Sequence, residues 1–278
     1  MSSFDTPNGS VVTSYAKAAT RTITAGGVTY AYRELGPKAG IPVVFFVHLA
    51  ATLDNWDPRI IEAIAKNRHV ITFDQRGVGA STGQVPDSIE AMADDAYTFI
   101  RALGFDTIDV LSFSMGGMIA QDLLLKHPHL VRKLVLTGTG PRGGQDIDKV
   151  ASTTYWDVLR ASLTCADPKE FLFFNQRHRQ AGREGVHQAP AGAHGRPRQA
   201  DQHQSLPDAA EGNRKFGRSA PSDLSKLTHP TLIANGDKDR MVPSILSEDL
   251  HRRIKGSVLI IYPDSDHGRT QVGVLLSR

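Results

Sequence analysis

This sequence predicts an α/β fold with a parallel sheet covered by helices on both faces. Three observations predict it. A continuous apolar run at Val43–Val47 and largely apolar runs at Val70–Phe73, Thr231–Ala234 and Val258–Tyr262 read as strands buried on both sides. Stretches with apolar residues at helical spacing lie between them. The alternation itself implies a parallel sheet covered on both faces.

Taken in order, Thr20–Thr24 and Val28–Glu34 alternate like strands around Ala25-Gly26-Gly27, a hairpin signal. Pro58–Lys66 reads as a helix capped by Asp57, because an aspartate oxygen accepts a free amide of the first turn. Ile89–Leu103 reads as a longer helix with Ser88 at its start. A strand Ile108–Leu111, a helix running from Met118 to about His127 and a strand Leu134–Leu136 follow. Ile245–Ile254 forms a helix between the last two strands. In such sheets the ligand site lies at the carboxyl ends of the strands.

Composition narrows the function. The chain has 278 residues and a formal charge of +3, with 40% hydrophobic residues. That length suits one domain with an insertion. The small charge argues against nucleic-acid or membrane-surface binding. One cysteine, Cys165, excludes an internal disulfide and a cysteine zinc cluster. The start, Met1-Ser2-Ser3-Phe4-Asp5, lacks a signal-peptide pattern, and the longest apolar stretch, Ile41–Ala51, is too short to span a bilayer. A cytoplasmic protein with no membrane partner is expected. Oligomeric state is not legible.

Arg177–Lys215 breaks the texture. It is rich in Arg, His, Gln, Gly and Ala, and its only large aliphatics are Val186 and Leu206. With no apolar period it is expected to be loop-like or disordered. His178, His187, His194 and His203 lack metal-site spacing, so no metal is expected. The same composition is what a GC-rich gene yields when read out of frame.

Ser114 is the candidate nucleophile. It lies in Leu111-Ser112-Phe113-Ser114-Met115-Gly116-Gly117, at a strand-to-helix corner. Such a corner needs small residues two positions either side, here Ser112 and Gly116, and it exposes the hydroxyl at a helix N-terminus. A serine needs a base, and the base needs an orienting acid. Two later strands each end in a candidate turn. One holds Asp237 and Asp239, either of which could be the acid. The other holds His267. His69, His127, His129 and His251 sit at element edges and read as surface residues.

Together these motifs resemble the α/β-hydrolase superfamily, in its serine esterase and haloperoxidase-like branch. The match comprises the elbow, the loop Asp74-x-Arg76-Gly77-x-Gly79-x-Ser81, the turn Gly236-x-x-Asp239-x-x-x-Pro243 and His267-Gly268. The resemblance implies an eight-stranded sheet. It implies a core of residues 1–140 and 220–278 and a lid at 141–219, inserted after strand six. It favours Asp239 over Asp237 as the acid. Oxyanion donors are expected at the amides of Met115 and Leu49. Leu49 lies in the loop Val47-His48-Leu49, where the family usually carries a glycine. His48 is a candidate substrate contact. Asp74 and Arg76 are expected to serve architecture.

The implied activity is hydrolysis of a small carboxylic ester or similar acyl compound through an acyl-serine, without cofactor. The alternatives are a cofactor-free perhydrolase with the same residues, and a ligand-binding protein of this fold with little turnover. The atypical lid motivates the second, as does the short stretch after His267.

Overall fold

The structure is a computed structural model that describes residues 14–49, 51–150, 152–153 and 199–268. Eight strands form one sheet: β1 (Arg21–Ala25), β2 (Val28–Leu35), β3 (Val43–Phe46), β4 (Val70–Phe73), β5 (Ile108–Phe113), β6 (Val131–Thr137), β7 (Thr231–Gly236) and β8 (Val258–Tyr262). Their spatial order is β1-β2-β4-β3-β5-β6-β7-β8. The hairpin β1–β2 and the β2–β4 pair are antiparallel, and all later pairs are parallel. The order reverses at β3, so the crevice at the carboxyl ends of β3 and β5 is the expected ligand position.

Five α-helices accompany the sheet among the described residues: α1 (Pro58–Ala65), α2 (Ile89–Ala102), α3 (Met115–Lys126), α4 (Gln199–Arg218) and α5 (Ser244–Arg253). The expected caps form. Asp57 accepts the Arg59 amide and Ser88 accepts the Ala91 amide. The core has two layers. One joins Val44, Phe46, Val110 and Leu134 to α2, α3 and α5, and the other joins Val43, Phe45, Leu111 and Phe113 to α1.

The sequence expectation for 177–215 is corrected over its second part. Gln199–Arg218 is helical, and Ala209, Ala210, Asn213 and Phe216 are buried. The reason is size. This helix packs through small residues, which an apolar-period search underweights. A Cβ on Gly217 would lie 2.3 Å from the Asp148 amide nitrogen, so only glycine permits the approach. Arg142 stacks its guanidinium 4.7 Å from the Phe216 ring centre, donates from Nη2 to both carboxylate oxygens of buried Asp122 and bonds Glu90 through Nη1. Residues 177–198 lie outside the described residues. No described helix is long and apolar enough to cross a membrane.

Candidate active site

Ser114 sits where β5 turns into α3. Its φ of 55° and ψ of −121° are unusual for a residue with a side chain. Such a conformation costs on the order of 1–3 kcal/mol and persists only when its surroundings fix it. They do. The Ser114 amide donates to the Thr137 carbonyl at 2.9 Å. A Cβ on Gly116 would lie 2.1 Å from the Phe46 carbonyl oxygen, and one on Gly117 would meet Thr139 at 2.6 Å. The start of α3 is thus wedged between the ends of β3 and β6.

Ser112 stands where the elbow more often has glycine. It is fully buried, and its hydroxyl donates to the Val135 carbonyl at 2.7 Å. The Thr137 hydroxyl donates back to the Ser112 carbonyl at 2.7 Å. This reciprocal brace ties β5 to β6 just below Ser114. Sequence reasoning missed it; the small polar Thr137 paired with Ser112 was its only signal.

The two acid candidates separate. Asp237 accepts the Ser265 amide and is a turn residue. Asp239 has a completely buried side chain, and its Oδ2 lies 2.6 Å from His267 Nδ1. Its Oδ1 accepts the Met241 and Val242 amides, both at 2.9 Å. The two turns are joined. A Cβ on Gly236 would lie 2.1 Å from the Ser265 carbonyl oxygen, and the Lys238 amide donates to that carbonyl at 2.9 Å.

The buried His267 ring centre lies 4.6 Å from that of Phe113, the residue before Ser114. It also rests on Gly138, where a Cβ would stand 3.1 Å from its Cε1. Gly138 follows Thr137, the residue that binds the Ser114 amide. The imidazole therefore shares its packing surface with the backbone that binds Ser114. Gly138 went unnoticed in the sequence, although a glycine just past a strand end was a usable signal.

Met115 is the first residue of α3 and is buried. Leu49 is half-buried against the core. Its loop approaches α3 closely, because the Gly116 Cβ position lies 2.8 Å from the Val47 carbonyl oxygen. His48 has Nδ1 3.2 Å from the Leu49 carbonyl and meets Phe113 edge-on at 5.6 Å. Ser114, Asp239, His267, Met115, Leu49 and His48 thus gather at the carboxyl ends of β3, β5, β7 and β8.

Asp74 has the architectural position expected of it. It accepts the Leu53 amide at 2.7 Å and the Ala80 amide at 2.9 Å. Gly79 must be glycine, since a Cβ there would lie 2.3 Å from the same carboxylate. His69 corrects its surface expectation: it is buried and bonds Glu34 at 3.1 Å. That bond, with help from Lys38, holds the half-buried Glu34 carboxyl down to about 2. No group of three or more potential metal ligands gathers among the described residues. His178, His187 and His194 lie outside them.

Residues 41–268 match the family model of the alpha/beta hydrolase fold. The chain belongs to this family. An alpha/beta hydrolase fold protein from Chitinophaga pinensis superposes with a TM-score of 0.82 at 34% identity, over 95% of this chain and 96% of that one. The serine hydrolase BPHL of Homo sapiens is 25% identical over 252 residues, which is 88% of this chain and 79% of that protein. A protein of Rhizobium rhizogenes named as a carbamate hydrolase, RutD, is 41% identical over 83 residues, 29% of this chain. The chain spans only 31% of that relative's length.

Proposed function

We propose that this α/β-hydrolase is a serine hydrolase that cleaves a small carboxylic ester or similar acyl substrate. The observation that carries the reading is the buried 2.6 Å contact between His267 Nδ1 and Asp239 Oδ2, on a ring packed against Phe113, the residue before a serine held at positive φ. With Asp239 on Nδ1, the imidazole keeps Nε2 as its basic atom. Ser114 Oγ attacks the carbonyl carbon as His267 takes its proton. The Met115 and Leu49 amides stabilise the oxyanion. The C–O bond to the alcohol then breaks, and His267 returns the proton to that oxygen. Water adds to acyl-Ser114 by the same route and releases the acid. His48 contacts the substrate, and α4 belongs to the lid that shapes the acyl side. The similarity over 88% of this chain to a protein named a serine hydrolase supports this reading.

A panel of p-nitrophenyl esters tests it on the wild type and on Ser114→Ala. Turnover that falls at least about 10³-fold in the variant supports acyl-serine chemistry. Equal rates in both proteins contradict it. Peroxyacid formation from acetate and hydrogen peroxide, run alongside, reads out perhydrolysis by the same residues.

A further inference from the structure

Tyr15 opens a short 3-10 turn, Tyr15–Lys17, ahead of β1, and is 3% exposed. Its amide donates to Glu62 Oε1 of α1 at 2.8 Å, and the Arg33 guanidinium of β2 lies over its ring at 5.3 Å. The ring belongs to the core layer that holds Ala51, Trp56 and Phe113. Its hydroxyl bonds the Leu53 carbonyl and lies 3.0 Å from Thr72 Oγ1 of β4. A carbonyl can only accept, so the phenol proton goes to Leu53 and the Thr72 hydroxyl donates to the phenol oxygen. Burial pushes the phenol up, so it keeps that proton at any working pH.

Leu53 begins the 3-10 helix Leu53–Asn55, four positions after Leu49. Both its backbone polar groups are taken, the carbonyl by Tyr15 and the amide by Asp74 Oδ1 at 2.7 Å. The two peptide planes that flank Leu53 are thereby set. Neighbouring bonds extend the hold. Arg33 bonds Asp54 at 2.6 Å, and the Thr52 amide donates to Asn55 Oδ1 at 2.8 Å. On the other side, the Ala51 amide donates to the His48 carbonyl at 3.2 Å. Leu49 is thus pinned between the end of β3 and Leu53.

We propose that Tyr15 is a positioning residue for the oxyanion-binding loop: its hydroxyl, through Leu53, sets the Leu49 amide against the oxygen that becomes negative in the substrate. The inference rests on acyl-serine chemistry at Ser114. The apolar layer needs only the ring, which a phenylalanine would supply. The oxygen instead bonds the backbone of the segment that links Leu49 to α1.

Steady-state kinetics of Tyr15→Phe on p-nitrophenyl acetate test it. The oxyanion forms in acylation and again in deacylation, so kcat and kcat/KM should fall together, about tenfold, with KM unchanged. Losing an oxyanion donor outright costs about 10²–10³, and a donor that is only misplaced should cost less. Butylboronic acid gives a second readout. Ser114 Oγ adds to the boron as its proton passes to His267, and the tetrahedral anion fills the oxyanion position. Its inhibition constant should rise about tenfold in Tyr15→Phe. Thr72→Val removes the donor to the phenol oxygen. It should move both readouts the same way by less, and it carries the test if Tyr15→Phe does not fold. Ile108→Val changes the buried core at the opposite end of β5 from Ser114. It serves as a destabilised control and should leave both readouts unchanged. Unaltered kcat and boronate affinity in folded Tyr15→Phe would overturn the inference, as would an equal loss in Ile108→Val. A wild type with no Ser114-dependent turnover would instead remove the acyl-serine chemistry itself, and this inference with it.

Discussion

The buried carboxylate of Asp74 accepts the Leu53 amide at 2.7 Å and so anchors the segment that follows Leu49. Burial pushes this carboxyl up to about 6 from its ordinary 3.8, against the downward pull of the Ala80 and Leu53 amides. The folded state therefore holds the proton more tightly than the unfolded chain does. That stabilisation is complete below pH 3.8 and is lost as pH rises through about 6. Its size is on the order of 3 kcal/mol. Denaturant titrations between pH 4 and 7 should show this slope in the wild type and lack it in Asp74→Asn. An unchanged slope in the variant would assign the dependence elsewhere.

Asn213 is a poor fit to its position. It is 1% exposed, and among the described residues its Nδ2 reaches only the Met118 sulfur at 3.6 Å and its Oδ1 has no partner. An unsatisfied buried acceptor costs about 1–3 kcal/mol, whereas an apolar side chain of similar shape carries no such cost. Asn213→Leu is expected to raise the melting temperature. A lowered one would mean that the amide has a partner that matters. A polar residue on a core-facing position is also what an out-of-frame stretch would produce.

Arg142 links α4 to the body of the protein through Asp122, Glu90 and Phe216. Burial pushes the Asp122 carboxyl up, and the Arg142 guanidinium works against that. Arg142→Met should leave Asp122 buried without its cation, a loss of roughly 3–5 kcal/mol in comparable pairs. Limited proteolysis should then cut within 199–218 sooner than in the wild type. The double variant with Asp122→Asn should recover part of the stability. No recovery would show that the pair is not coupled.

Gly138 has φ of 52° and lies under the His267 ring. An alanine there pushes on the imidazole from 3.1 Å and adopts a left-handed backbone at a cost of about 1–2 kcal/mol. Gly138→Ala should lower kcat by about tenfold or more while leaving the far-ultraviolet dichroism unchanged. Unaltered kcat in a folded variant would show that the ring tolerates displacement.

Much of this arrangement was legible in the sequence, for physical reasons. Strands buried on both faces are largely apolar, so Val43–Phe46 and Val70–Phe73 announced themselves. The elbow and the two turns are short local motifs whose backbone demands fix residue types at fixed spacings. Packing that depends on size rather than hydrophobicity was not legible. Helix α4 buries Ala209 and Ala210 and approaches through Gly217, and those residues carry little periodic signal. Contacts between distant segments were equally hidden: His69 with Glu34, Ser112 with Thr137, and His267 on Gly138. The turn spacing implied by the resemblance favoured Asp239 over Asp237, while their different partners, the Ser265 amide on one and the His267 ring on the other, lay beyond the sequence.

Covalent labelling by a fluorophosphonate, followed by peptide mapping, tests the central claim most directly. The expected result is one adduct on Ser114, absent from Ser114→Ala and formed far more slowly in His267→Ala and Asp239→Asn. A folded protein that takes up no label, or that carries it on another residue at the same rate in all three variants, would contradict the assignment of Ser114, His267 and Asp239 to one catalytic unit.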